Sequence, residues 1–136
     1  MTGILDSLFR ETATTDGITI RVASNFLEEQ SQPQSGRWFW SYHIRMENHS
    51  DEAVQLLTRH WKITDGRGNF SHVDGDGVVG EQPVLEPGGA HDYVSGCPLP
   101  TPSGNMEGHF RFIRADGGTF LAEIPRFELI APATAR

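Results

Sequence analysis

Three observations predict an all-β chain folded as an antiparallel sandwich of about seven strands in two sheets. Apolar residues recur at every second position in several segments, no segment repeats them with helical period, and turn formers return about every ten residues. A small closed barrel is the alternative architecture. Parallel α/β folds are excluded, because nothing in the chain supplies the crossover helices that cover a parallel sheet.

The first strand begins at Ile18, where Ile18, Ile20 and Val22 alternate with Thr19 and Arg21, and runs to about Leu27. Glu28 to Gly36 is polar, contains Pro33 and reads as an exposed loop. The second strand carries the clearest signal: Trp38, Trp40, Tyr42, Ile44 and Met46 share one parity, with Ser41, His43, Arg45 and Glu47 between them. Only Phe39 breaks the polar face. A helix would scatter these bulky side chains around its circumference, whereas a strand aligns them on one side, so this element belongs at the centre of the core. Asn48 to Asp51 supplies turn chemistry.

From Ala53 to Asp65 the pattern changes phase, with Val54 and Leu56 on one parity and Leu57, Arg59, Trp61 and Ile63 on the other. A bulge near Leu56 and Leu57, or a strand crossing between sheets, accommodates the change. Asp65 to Gly68 is a hairpin turn leading to a short strand through Phe70 and Val73. Asp74 to Gly80 and Glu81 to Gly89 read as irregular, Ala90 to Ser95 as extended, and Cys97 to Gly104, with three prolines, as a stiff polyproline-like loop. Met106, Phe110 and Phe112, then a turn at Asp116 to Gly118, then Phe120, Ala122 and Ile124 form a final hairpin. The domain is expected over residues 17–130, with loosely held tails at 1–16 and 131–136.

At 136 residues the chain fits one domain, and 37% apolar residues with 10% aromatics are enough for a core. A net charge of −7 disfavours nucleic acid and anionic membrane surfaces. The lone Cys97 precludes an internal disulfide, and no apolar run approaches the ~20 residues that cross a bilayer, so a cytoplasmic location is expected.

Gly75-Asp76-Gly77-Val78-Val79-Gly80 has the G-x-G-x-x-G spacing that cradles a pyrophosphate, making Gly75, Gly77 and Gly80 a candidate anion loop. The context argues for an ordinary turn: Glu81-Gln82-Pro83 opens no helix, and Asp74, Asp76 and Glu81 repel anions. A nest of backbone N–H groups remains the alternative. His72, Asp74 and Asp76 would share one face of a continued strand and are the candidate metal ligands, although Gly75 interrupts them and solvated loop polars are the plainer reading. Cys97, followed by Pro98, reads as a small packed residue, and Glu28 with Glu29 as solvated charges. Arg59, His60 and Trp61, with Arg37, Trp38 and Trp40, could form a base-stacking platform, but alternation assigns the tryptophans to the core. No catalytic residues and no cofactor are expected.

Three blocks resemble the bacterial ApaG family: Leu56-Leu57-Thr58-Arg59-His60-Trp61-Lys62-Ile63-Thr64-Asp65, Gly77-Val78-Val79-Gly80-Glu81-Gln82-Pro83-Val84-Leu85, and Tyr93 through Gly104. Phe26 to Ser31 and Glu123 to Phe127 extend the resemblance, which covers roughly Gly17 to Leu129. It implies a fibronectin-III-like or immunoglobulin-like sandwich. It also implies a link to cobalt tolerance and magnesium efflux, as in the bacterial members also called CorD. The similar domain in eukaryotic F-box proteins and a polymerase-delta-interacting protein looks like a protein-interaction module. No catalytic reaction comes with the family. The resulting expectation is a non-catalytic interaction module, linked indirectly to cation homeostasis, whose loops Gly75–Gly89 and Gly96–Gly104 meet a protein partner. The alternative is a nucleotide or polyphosphate binder or hydrolase using the Gly75–Gly80 loop. An unpaired sheet edge would also let two copies form a homodimer.

Overall fold

Nine strands, two more than the sequence pattern indicates, make up the computed structural model, which describes residues 3–136. A short helix α1 (Ile4–Leu8) precedes β1 (Glu11–Thr15), β2 (Ile18–Phe26), β3 (Trp38–Asn48), β4 (Val54–Asp65), β5 (Phe70–Asp76), β6 (Val84–Leu85), β7 (Ala90–Leu99), β8 (Ser103–Arg114) and β9 (Thr119–Ile130). All pairings are antiparallel. One sheet runs β1-β2-β3-β7 and the other β5-β4-β8-β9, with β6 pairing the start of β4.

The two additional strands are those with the weakest pattern. β6 has two residues, and β1 (Glu-Thr-Ala-Thr-Thr) is a largely exposed edge with one apolar residue. It pairs with β2 from Glu11↔Val22 to Thr15↔Ile18 through the two-residue turn Asp16-Gly17, both at positive φ (49° and 80°). Asp-Gly is a strong hairpin signal. The segment 1–16, expected to be loosely held, thus carries a hydrogen-bonded strand, and Phe9 is buried against the His43 ring on the outer face of the first sheet. The 131–136 end is also tied down, since Ala131 is buried and the Trp38 indole N–H donates to the Ala135 carbonyl.

Three further expectations are corrected. β5 does not end at Val73 but continues through Gly75 to Asp76, because its pairing with β4 holds as far as Thr58↔Asp76. The Cys97–Gly104 segment is not a loop: β7 runs to Leu99 and β8 starts at Ser103, leaving a turn of residues 100–102. Pro98 is accommodated because β7 is an edge strand, where a missing N–H need not interrupt a ladder. The phase change in β4 is a bulge, a register shift between Leu56 and Thr58 within one sheet, and no strand crosses over.

The inner face of β3 is buried as its alternation demands: Trp38, Trp40, Tyr42, Ile44 and Met46 all lie inside. Opposite them stand Leu56, Trp61, Phe110, Ile124 and Phe127 of the second sheet. Tyr42 meets Trp61 edge-on across the interior at 5.4 Å between ring centroids. On one side the sandwich is closed, with β1 and β2 packed on β9; the Glu123 N–H donates to Thr15 Oγ1 there. On the other side β5 and β7 are separate edges, and a cleft opens between the sheets.

The outer face of the first sheet holds a buried carboxylate. Glu47, 6% exposed, accepts from Arg45 Nε at 2.8 Å and His49 Nε2 at 3.0 Å, with Arg21 Nε at 3.1 Å. Burial pushes its pKa up, but the hydrogen bonds from Arg45, His49 and Arg21 outweigh this and hold it below the ordinary value. A depressed folded pKa contributes stability above the unfolded value of about 4.3, which is lost as pH falls through the folded value. Thermal melts are therefore expected to show Glu47→Gln less stable than the parent at neutral pH, with the gap narrowing as the pH falls below about 4. In the core, Trp40→Ala is expected to cost about 3–5 kcal/mol in urea unfolding.

Candidate functional site

The Gly75–Gly80 loop, the outer face of the second sheet and the cleft between β5 and β7 are three adjoining places where chemistry-bearing residues gather. In the loop, each glycine answers a backbone demand. A Cβ on Gly75 would stand 2.6 Å from the Arg59 guanidinium, so Gly75 makes room for that side chain. Gly77 has φ 58°, and its Cβ would stand 2.0 Å from the Glu81 carbonyl oxygen. Val79 and Gly80, at φ 48° and 78°, are the central residues of a tight turn closed by the Val78↔Glu81 bridge.

Three amides in and beside the loop are engaged within the protein. Gly77 N–H donates to Leu57 O at 2.8 Å, Val78 N–H to Glu81 O at 2.8 Å and Glu81 N–H to Val78 O at 2.9 Å. Arg59 donates through one guanidinium nitrogen to the carbonyls of Asp76 and Gly77, both at 3.0 Å. Val78 is buried while Val79 is 69% exposed at the tip, and left-handed backbone is unusual for a β-branched residue.

On the outer face of the second sheet, His60 of β4 lies directly opposite Asp74 of β5 and His109 of β8. His60 Nδ1 lies 2.5 Å from Asp74 Oδ1, and His60 Nε2 lies 3.2 Å from His72 Nδ1. The His60 and His109 rings are nearly parallel, 4.9 Å apart. The hydrogen bond from His60 holds Asp74 below the ordinary carboxylate value, whereas burial, then the His60 and Arg111 charges, lower His109. Of the triplet His72, Asp74 and Asp76, the first two join this cluster, while exposed Asp76 is held through its backbone carbonyl by Arg59. Among the described residues no three His, Cys, Asp or Glu form a group able to hold a metal ion.

The cleft has a volume of about 550 Å³ and is lined by Tyr42, Trp61 and Leu99 inside, Arg59 and Ser95 at its wall and Phe70 at its rim. Burial raises the Tyr42 hydroxyl's pKa against a hydrogen bond with Ser95 that lowers it. Tyr93, largely buried beside Arg59 and Tyr42, has no hydrogen-bond partner for its hydroxyl among the described residues. Cys97 is buried and its thiol is pushed up to about 11, the state of a packed residue rather than a nucleophile. Trp38, Trp40 and Trp61 are all buried, so no tryptophan stacking platform forms on the surface.

A family profile described as the ApaG domain matches residues 28–114. Protein ApaG of Methylobacterium sp. (strain 4-46) is 49% identical over 124 residues, which span 91% of this chain and 95% of that protein. The chain belongs to the ApaG family. Protein ApaG of Rhodospirillum centenum is 51% identical over 118 residues, 87% of this chain and 91% of its own. The crystal structure of an ApaA protein from Bordetella pertussis is similar at a TM-score of 0.83 and 40% identity, covering 85% of this chain and 94% of that one. Among the described residues no helix is long and apolar enough to cross a membrane.

Within this ApaG domain the sequence named the glycine loop and two members of the histidine cluster, singled out Arg59 and His60 only as part of a stacking platform, and missed His109 and the cleft. The parity of β4 carried part of the signal: with Trp61 inside, His60 has to face outward. In urea unfolding, Gly77→Ala is expected to cost about 3 kcal/mol, since it strains the left-handed backbone and meets a carbonyl. Gly75→Ala, which displaces only the end of the Arg59 side chain, is expected to cost about 1 kcal/mol.

Proposed function

We propose that this ApaG-domain protein is a non-catalytic, cytoplasmic interaction module that docks an extended segment of a protein partner on the open β5–β7 side of the sandwich. The observation that carries the reading is the meeting of two unpaired sheet edges over a cleft of about 550 Å³. β7 offers edge backbone over residues 90–97, a ready template for one more strand. An apolar side chain of that strand would enter between Tyr42, Trp61 and Leu99, with the Tyr93 hydroxyl and Arg59 as polar anchors. Phe70 and Val73, 60% and 39% exposed, line the opening and extend the apolar surface. The loops first expected to carry recognition contribute less, because residues 96–99 lie within β7. The link to cobalt tolerance and magnesium efflux implied by the family is taken to run through this partner.

Nucleotide or polyphosphate binding at Gly75, Gly77 and Gly80 is the weaker reading. The Gly77 and Val78 amides of the loop and the Glu81 amide beside it already donate within the protein, and Asp74, Asp76 and Glu81 surround the turn.

Two measurements separate these readings. Cross-linking and pull-down from bacterial cytosol are expected to recover a partner with the parent chain and at least about tenfold less with the Phe70→Lys, Val73→Lys double variant, whose melting is unchanged; in the complex, the β7 amides gain protection from hydrogen exchange. Equal recovery by both chains, or no added protection in β7, would discard the docking reading. Titration with nucleoside polyphosphates and Mg²⁺ is expected to leave the amide resonances of residues 75–80 unmoved at millimolar ligand.

A further inference from the structure

We propose that His60 and His72 form a chelating pair on the outer face of the second sheet, binding a divalent cation of the imidazole-preferring kind such as zinc, nickel or copper. The pair is assembled across two strands. His60 stands opposite Asp74 and Lys62 opposite His72, so the two histidines are diagonal neighbours on one face. Their facing nitrogens, His60 Nε2 and His72 Nδ1, are 3.2 Å apart. Two nitrogens each about 2.0–2.1 Å from a shared ion reach that separation when they subtend about 100° at it.

Asp74 acts on this pair as a positioning residue. Its carboxylate accepts the His60 Nδ1 hydrogen at 2.5 Å, which leaves the lone pair on Nε2, the nitrogen that faces His72. On the other side the His109 ring lies nearly parallel to His60, 4.9 Å away, and limits its rotation. Without metal, the His72 Nδ1 hydrogen bridges the two rings; when the ion binds, that hydrogen moves to Nε2 of His72, and no net charge is lost from the pair.

The surroundings allow a cation to approach. His60, His72 and His109 line a hollow of about 380 Å³ with Glu107 and Glu123, and with Lys62 and Arg126 as its cations. The Lys62 ammonium is held over the Phe70 ring, 4.7 Å from its centroid. No third His, Cys, Asp or Glu among the described residues completes a group, so the remaining coordination positions belong to water and the site is an open chelate, not a structural centre. Two imidazoles suit late transition metals and discriminate against magnesium, which takes oxygen ligands. The hollow lies on an outer sheet face and the docking cleft between the sheets; Phe70 at the cleft rim also meets the His72 ring, 5.7 Å between centroids, so the zinc titration leaves Phe70 unchanged.

Calorimetric titration of the full chain with ZnCl₂, together with long-range ¹H–¹⁵N NMR of the imidazoles, tests the site. One zinc is expected per chain, with shifts at Nε2 of His60 and Nδ1 of His72, and no response to MgCl₂. His60→Ala and His72→Ala each abolish binding; Asp74→Ala weakens it about tenfold, and Asp76→Asn leaves it unchanged. His72→Gln, which keeps a polar side chain against His60, replaces His72→Ala if the latter melts early. Zinc binding that survives the His60 and His72 substitutions, or a parent chain that takes up no zinc below millimolar concentration, would overturn the proposal.

Discussion

Burial of the inward face of β3 is the constraint on which the rest of the molecule depends. Trp38, Trp40, Tyr42, Ile44 and Met46 project from one side of a single strand, and the strand is flanked by β2 and β7 in its own sheet. Such a face can leave water only beneath a second apolar layer, and Leu56, Trp61, Phe110, Ile124 and Phe127 provide it. Once the two layers are stacked, the polar side chains of β3 and β4 must form outer surfaces. The Glu47 ion network and the histidine cluster are the products of that requirement on opposite sheets.

The sandwich is closed unequally. On the β1–β9 side, strand packing and a hydrogen bond to Thr15 cover the interior. On the β5–β7 side the interior is reached through a cleft, and both bordering strands keep an unpaired edge. Long free edges are an aggregation hazard that proteins blunt or use. Pro98 blunts one end of β7, while residues 90–97 remain able to pair.

The glycine loop shows how a spacing pattern can match while its physics differs. The dinucleotide motif needs glycines so that amides can approach a phosphate at a helix N-terminus. Here Gly75 yields space to Arg59, Gly77 avoids the Glu81 carbonyl, and Gly80 completes a turn whose end amides are satisfied internally. The same three positions therefore follow from the needs of a strand-to-strand turn. The candidate metal triplet shows the complementary limit: spacing along β5 selected Asp76, which shares its face, and could not select His60, which lies on another strand.

Period-two alternation is a local property, so the sequence alone determined the all-β class, the burial of β3, the change of phase near Leu56 and Leu57 and the final hairpin. Weakly patterned edges escaped it: β1 has one apolar residue, and its Asp16-Gly17 turn was the available signal. Segments rich in glycine and proline were read as loops, because intrinsic propensity does not register a neighbour that holds Gly75 or Pro98 in a ladder. Cross-strand register was decided only by the tertiary structure. It set His60 against Asp74 and His109, brought Arg59 under the glycine loop, and left the cleft open between β5 and β7. These juxtapositions join residues from 14 to 49 positions apart, and pairing over such distances depends on how the two sheets stack as a whole rather than on any stretch of chain read by itself.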